Sequence, residues 1–147
     1  LGQMDAASEC YQKAIVLWRE QGRPDLALES VAGLAQIALD HGTLSQAQAY
    51  AEELIAEFDD PTFSNDGMAE EFLTCYRVLH ATQDVRAAEI LRTIYNQIQA
   101  SAAKISEEAL RRSYLENVST HRAIVSAWRA LPQFIRDEPA EEVTLVE

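Results

Sequence analysis

The sequence predicts an all-α fold built from helical hairpins, and three observations carry that prediction. Glycine and proline are scarce, five and four in 147 residues, while alanine, leucine, glutamate and glutamine, all good helix formers, are abundant. Apolar residues recur at helical spacing along most of the chain. The chain also repeats itself: Gly2 is followed by Met4, Ala7, Tyr11, Ala14 and Trp18, and Gly42 by Leu44, Ala47, Ala51, Leu54 and Phe58, at offsets of 2, 5, 9, 12 and 16 residues in both copies. These offsets fall on one helical face, where a small residue at offset 5 admits a close neighbour and a large one at offset 16 fills the far end of the seam.

The elements follow in order. Residues 1–20 read as one helix, the second half of a repeat whose first helix is missing, which suggests a piece of a longer protein. Pro24 suits the first turn of the next helix, where its absent N–H is not needed. Leu28, Val31, Leu34, Ala35 and Ala38 mark the buried stripe of that helix, and Gly42 suits the left-handed position after its end. Thr43-Leu44-Ser45-Gln46 has the form of a capping box, worth about 1 kcal/mol. Asp59-Asp60-Pro61 ends the third helix, and a polar loop over 61–67 follows, with Phe63 turned inward. The fourth helix, about 68–81, buries Phe72, Cys75, Tyr76 and Leu79. A weaker third copy has Gln83 in the glycine position, followed by Val85, Ala88, Arg92 and Tyr95, with Leu91 beside Arg92 pointing to either a slipped register or a degenerate copy. Asp84 is placed to cap the fifth helix, which reads to about residue 104, with Ile90, Leu91, Ile94, Tyr95 and Ile98 on its apolar face. Two shorter helices open at Ser106 and at Ser119 or Thr120, the last stopped by Pro132. The domain plan is thus a half repeat 1–20, repeats 24–59 and 67–104, capping helices 106–131, and an acidic tail 132–147 expected to be disordered.

Gly2, Ala7, Tyr11 and Ala14 within LGQMDAASECYQKAI resemble the second-helix pattern of tetratricopeptide (TPR) repeats, and Gly42, Ala47, Ala51 and Leu54 follow it more loosely. Val31, Leu34, Ala35 and Ala38 occupy the first-helix packing positions, though the family favours Trp at Val31 and Tyr at Ala38. The period of 40 also exceeds the family's usual length of about 34. The end of the chain, AAEILRTIYNQIQASAAKI and RRSYLENVSTHRAIVSAW, resembles the closing segment of repeat arrays in large bacterial signalling ATPases and cyclase-like regulators. The resemblance implies a right-handed α-α superhelix that serves as a non-catalytic protein-interaction module of a larger bacterial regulator.

Charge narrows the partners. With 24 acidic and 12 basic residues the net charge is −12, which repels phosphate backbones and favours a basic protein or peptide segment over nucleic acid. No apolar run reaches the ~18 residues of a membrane span. Cys10 and Cys75, without a CxxC spacing, read as buried thiols in a reducing, cytoplasmic setting.

Candidate chemistry is thin. His41, His80 and His121 share no helical face, so no metal site is expected. Adjacent carboxylates such as Glu52-Glu53, Glu70-Glu71 and Glu107-Glu108 point about 100° apart and read as solvated faces. No phosphate-binding glycine loop or nucleophile elbow is present, so no catalytic or cofactor-binding residue is assigned. Arg111, Arg112, Arg122 and Arg129 form a local basic cluster, expected to pair with Glu107, Glu108 and Glu116. Trp18 and Trp128 read as packing residues, Trp128 helping the last helix cover the end of the array.

By the resemblance, the concave surface lined by first helices carries function. Its expected lining is Glu29, Ala32, Gln36 and Asp40 from one repeat and Glu70, Leu73, Arg77 and His80 from the next. These residues lack the Lys, Asn and Arg that grip a peptide carboxylate in some members of the family, so no such capture is expected. A second possibility is self-association, to a homodimer, through a first-helix face of Tyr11, Ile15 and Trp18 that has lost its neighbour.

Overall fold

The computed structural model describes residues 2–139, and among them it is helical throughout, without strands. The helices are α1 (Gly2–Glu20), α2 (Pro24–Asp40), α3 (Leu44–Phe58), α4 (Ala69–Ala81), α5 (Ala87–Ala103), α6 (Glu108–Glu116), α7 (Ser119–Ala130) and the single turn α8 (Gln133–Arg136). The tail expected to be disordered thus begins with a helical turn at 133–136, and residues 140–147 lie outside the described residues. The chain divides into two compact units between Ala87 and Ala88, within the span read as the repeat 67–104.

The first unit holds α1 to α4. Helix α2 touches α1, α3 and α4, so apolar residues on nearly all its sides are buried: Ala27, Leu28, Val31, Ala32, Leu34, Ala35 and Ala38. Its richness in alanine is what lets three neighbours approach at once. The repeated pattern in α3 is realised at four of its five positions: Ala47, Ala51 and Leu54 are 0% exposed, and Phe58 at the far end stacks on Phe72 of α4 with ring centroids 3.9 Å apart, while Leu44 at offset 2 is 40% exposed. Burying each of these larger side chains contributes about 2–3 kcal/mol. Phe63 turns inward from the α3–α4 loop, its ring 6.0 Å from that of Phe58.

Three turns share one construction. After α1, α2 and α4 the chain passes through a left-handed residue: Gly22 (φ 68°), Gly42 (φ 75°) and Gln83 (φ 56°). In each, the left-handed residue and its successor donate back to the helix: Gly22 to Arg19 and Arg23 to Trp18, Gly42 to Leu39 and Thr43 to Ala38, Gln83 to His80 and Asp84 to Leu79. This paired closure satisfies carbonyls that the helix end would otherwise orphan. It also displaces the expected capping box. Thr43 makes no side-chain cap to α3; its hydroxyl donates to the Ala38 carbonyl at 3.0 Å, because the turn places it over the end of α2. Gln46 reaches Tyr50 instead.

Asp84 accepts the backbone N–H of Arg86 at 2.9 Å in the turn before α5, not a backbone N–H of the helix itself. Its carboxylate and that of Glu52 bracket the Arg86 guanidinium, while Gln48 donates to Asp84 at 3.2 Å and accepts the Thr82 hydroxyl at 2.7 Å. This polar brace ties α3 to the turn after α4.

The second unit holds α5 from Ala88 onward, α6, α7 and α8. The register slip in the third copy is real. Leu91, Ile94 and Ile98 are buried, each one residue before the position set by Gln83, and Val85 is 94% exposed. Trp128 of α7 stacks on Tyr95 of α5 (centroids 4.8 Å, planes 15° apart) and is 9% exposed. The Arg92 guanidinium lies 5.8 Å from the Trp128 centroid, pairs with Glu89 and donates to the Ile135 carbonyl, which anchors α8. Its Cζ-to-ring distance is within cation–π range.

Candidate functional site

The first unit contains a cleft of about 460 Å³ between α1, α2 and α4. Ala7 and Tyr11 of α1 form one wall. Glu29, Ala32, Gly33, Gln36 and Ile37 of α2 form the base, and Glu70, Glu71, Thr74 and Arg77 of α4 the other wall. Of the eight residues expected to line the concave surface, the structure brings Glu29, Ala32, Gln36, Glu70 and Arg77 together here. The other three do not take part. Asp40 accepts the Gln36 amide at 2.8 Å, Leu73 is buried in the core at 4% exposure, and His80 stacks on Tyr76.

Tyr11 is placed differently from the expectation. Its ring lies directly on Gly33, where a Cβ would stand 2.5 Å from Tyr11 Cζ. Tyr11, Ile15 and Trp18 are half-buried on the side of α1 that faces α2, so this face keeps a neighbour. The apolar residues that α1 leaves open are Val16 and Leu17, 59% and 47% exposed, in a shallow depression with Gln12, Lys13 and Glu20. Cys10, read as a core thiol, is exposed on the same helix.

The chemistry of the cleft centres on Glu71, which the sequence reading had assigned to solvent. It is 7% exposed, and its Oε2 is buried without a hydrogen-bond partner. Burial pushes its carboxyl above the usual range; a hydrogen bond from its own backbone opposes this, and the charges of Glu70 and Glu29 reinforce it. Gln36 presents a second orphan. Its amide N–H is spent on Asp40, and its Oε1 is buried without a donor. Arg77 is exposed and makes no ion pair among the described residues.

The remaining candidates carry less. Burial pushes the Cys75 thiol up to about 12, so it stays protonated and unreactive at neutral pH. Among the described residues no three His, Cys, Asp or Glu side chains converge to hold a metal ion. The arginine cluster is paired only in part as expected: Arg112 forms an ion pair with Glu108 at 3.6 Å, whereas Arg111 donates to the Ile105 carbonyl at 3.0 and 2.8 Å, and Arg122 and Arg129 border a separate hollow with Leu115, Glu116 and Val125. No helix of the described residues is long and apolar enough to cross a membrane.

The fold and site define an all-helical protein whose first unit carries an acidic, polar-floored cleft. The chain matches no protein-family model, and comparison with curated proteins and with solved structures gives no significant match.

Proposed function

We propose that this chain is a TPR-type helical repeat module, a non-catalytic and cytoplasmic part of a larger bacterial regulator, that binds a basic segment of a protein partner in the α1–α2–α4 cleft. The observation that carries the reading is the cleft itself: three carboxylates, Glu29, Glu70 and Glu71, open onto about 460 Å³ with one counter-charge, Arg77. Such a surface draws in cationic segments and disfavours phosphate or carboxylate ligands. Paired turns and the repeated small-residue seam support the repeat assignment, since each helix relies on its neighbours to bury its apolar stripe.

The test is binding of 12-residue peptides selected from a random display library against the whole chain, read by fluorescence anisotropy. Binding should weaken with salt and fall about tenfold with Glu29→Lys or Glu70→Lys, the effect of placing like charge at an interface. Peptides that bind the charge-reversed chains as well as the original remove the cleft from consideration. A second reading, self-association, rests on the exposed Val16 and Leu17 rather than on Tyr11, Ile15 and Trp18. A solution mass that stays monomeric across concentrations excludes it.

A further inference from the structure

We propose that Glu71 and Gln36 form a socket for a single lysine or arginine side chain of the bound segment, an assignment that rests on the cleft being the binding surface. Glu71 and Gln36 both line the cleft, and each carries a buried acceptor without a donor: Glu71 Oε2 and Gln36 Oε1. Leaving such groups unsatisfied costs about 1–3 kcal/mol each, and more for a charged one. The missing group is therefore a donor with several N–H bonds and a positive charge, which an ammonium or guanidinium supplies.

The surroundings fit a side chain arriving on a stem. Tyr11 on one wall and Ala32, Gly33 and Ile37 in the base give the cleft apolar surface for methylene groups, and the exposed Glu29 and Glu70 add charge. Among the described residues no three carboxylates converge to hold a metal ion, which suits a cationic side chain better than an inorganic ion. Arg77, exposed and unpaired, borders the same cleft and is left free to meet an acidic residue elsewhere on the segment.

The experiment is a double-mutant cycle on a selected 12-residue peptide that binds the cleft. Each Lys or Arg of the peptide is replaced in turn by norleucine, and binding is measured to the original chain and to Glu71→Gln. Glu71→Gln keeps the side chain's shape and removes an unpaired buried charge, so it folds. One peptide position should lose at least about tenfold in affinity on the original chain and less than about twofold on Glu71→Gln, as expected for a desolvated charge pair. Gln36→Leu should weaken the same peptide and show coupling to the same position. If Glu29→Lys abolishes binding while no peptide position couples to Glu71, the cleft binds segments but the socket is wrong. If Glu29→Lys and Glu70→Lys leave binding unchanged, the cleft reading fails first and the socket with it.

Discussion

Gly33 sits in the middle of α2, where glycine is a poor helix former, and the ring of Tyr11 explains its presence. Replacing it by alanine should by propensity alone stabilise the helix by about 1 kcal/mol. The added Cβ, however, would lie 2.5, 2.7 and 2.9 Å from Cζ, Cε1 and Cε2 of Tyr11. Three contacts far inside van der Waals distance require the Tyr11 ring to shift from its seat on α2. Overpacking of this kind costs about 1–3 kcal/mol. The expected net effect of Gly33→Ala is a loss of about 1 kcal/mol. In a Tyr11→Ala background the clash is gone, and the same substitution should stabilise by about 1 kcal/mol, a coupling of about 2 kcal/mol. Urea unfolding followed by circular dichroism reads both, as shifts in midpoint at constant slope. Equal stabilisation in the two backgrounds would refute the idea that the ring and the glycine are fitted to each other.

Two further outcomes follow from the turns and the brace. Gln83 adopts the left-handed conformation that glycine holds at 22 and 42, so Gln83→Gly should gain about 0.5–1 kcal/mol and raise Tm by a few degrees; a lower Tm contradicts the strain argument. Arg86 holds Glu52 and Asp84 below the usual carboxylate range, chiefly by hydrogen bonding. Because these folded-state values are depressed, the stabilisation is fully present above about pH 5 and is lost progressively as the pH falls further. Arg86→Met should therefore cost about 1 kcal/mol at pH 7, a modest figure for a partly exposed network, and clearly less near pH 2. A cost that persists undiminished at low pH would mean Arg86 acts by packing alone.

Much of the first unit was legible because its signals are local. A glycine followed by small residues at offsets of 5 and 9 leaves little freedom: Ala47 and Ala51 are buried because only a methyl fits between helices. Even Gln83 was found by its place in the pattern, and its positive φ shows that the turn, more than the residue, is what the repeat demands. The slip in α5 was legible for the same reason, since Leu91 and Arg92 compete for one position and both are buried. The site was harder to read. Glu70-Glu71 looks like a solvated pair, yet Glu71 stands three and seven residues before Thr74 and Val78, on the buried stripe of α4. That spacing was available, but charge argued against using it. Gly33 gave a similar unused signal, since a glycine in mid-helix asks for a packing reason. Thr43 misled because its neighbours spell a capping box, while the turn before it commits its hydroxyl to the previous helix.

Helix α1 bears on both functional readings, and its geometry decides whether they compete. Tyr11 faces α2 and walls the cleft, whereas Val16 and Leu17 are open to solvent. Tyr11 and Val16 are five residues apart, which on a helix of 100° per residue places them about 140° apart around the axis. One face can therefore hold a segment while the other meets a second copy or a preceding helix. Because removing α1 would strip away one wall of the cleft and uncover α2 together, binding depends on α1 being docked, whichever surface covers its outer side. Any contact that steadies α1 from outside should thus tighten binding inside, through the ring of Tyr11 on Gly33.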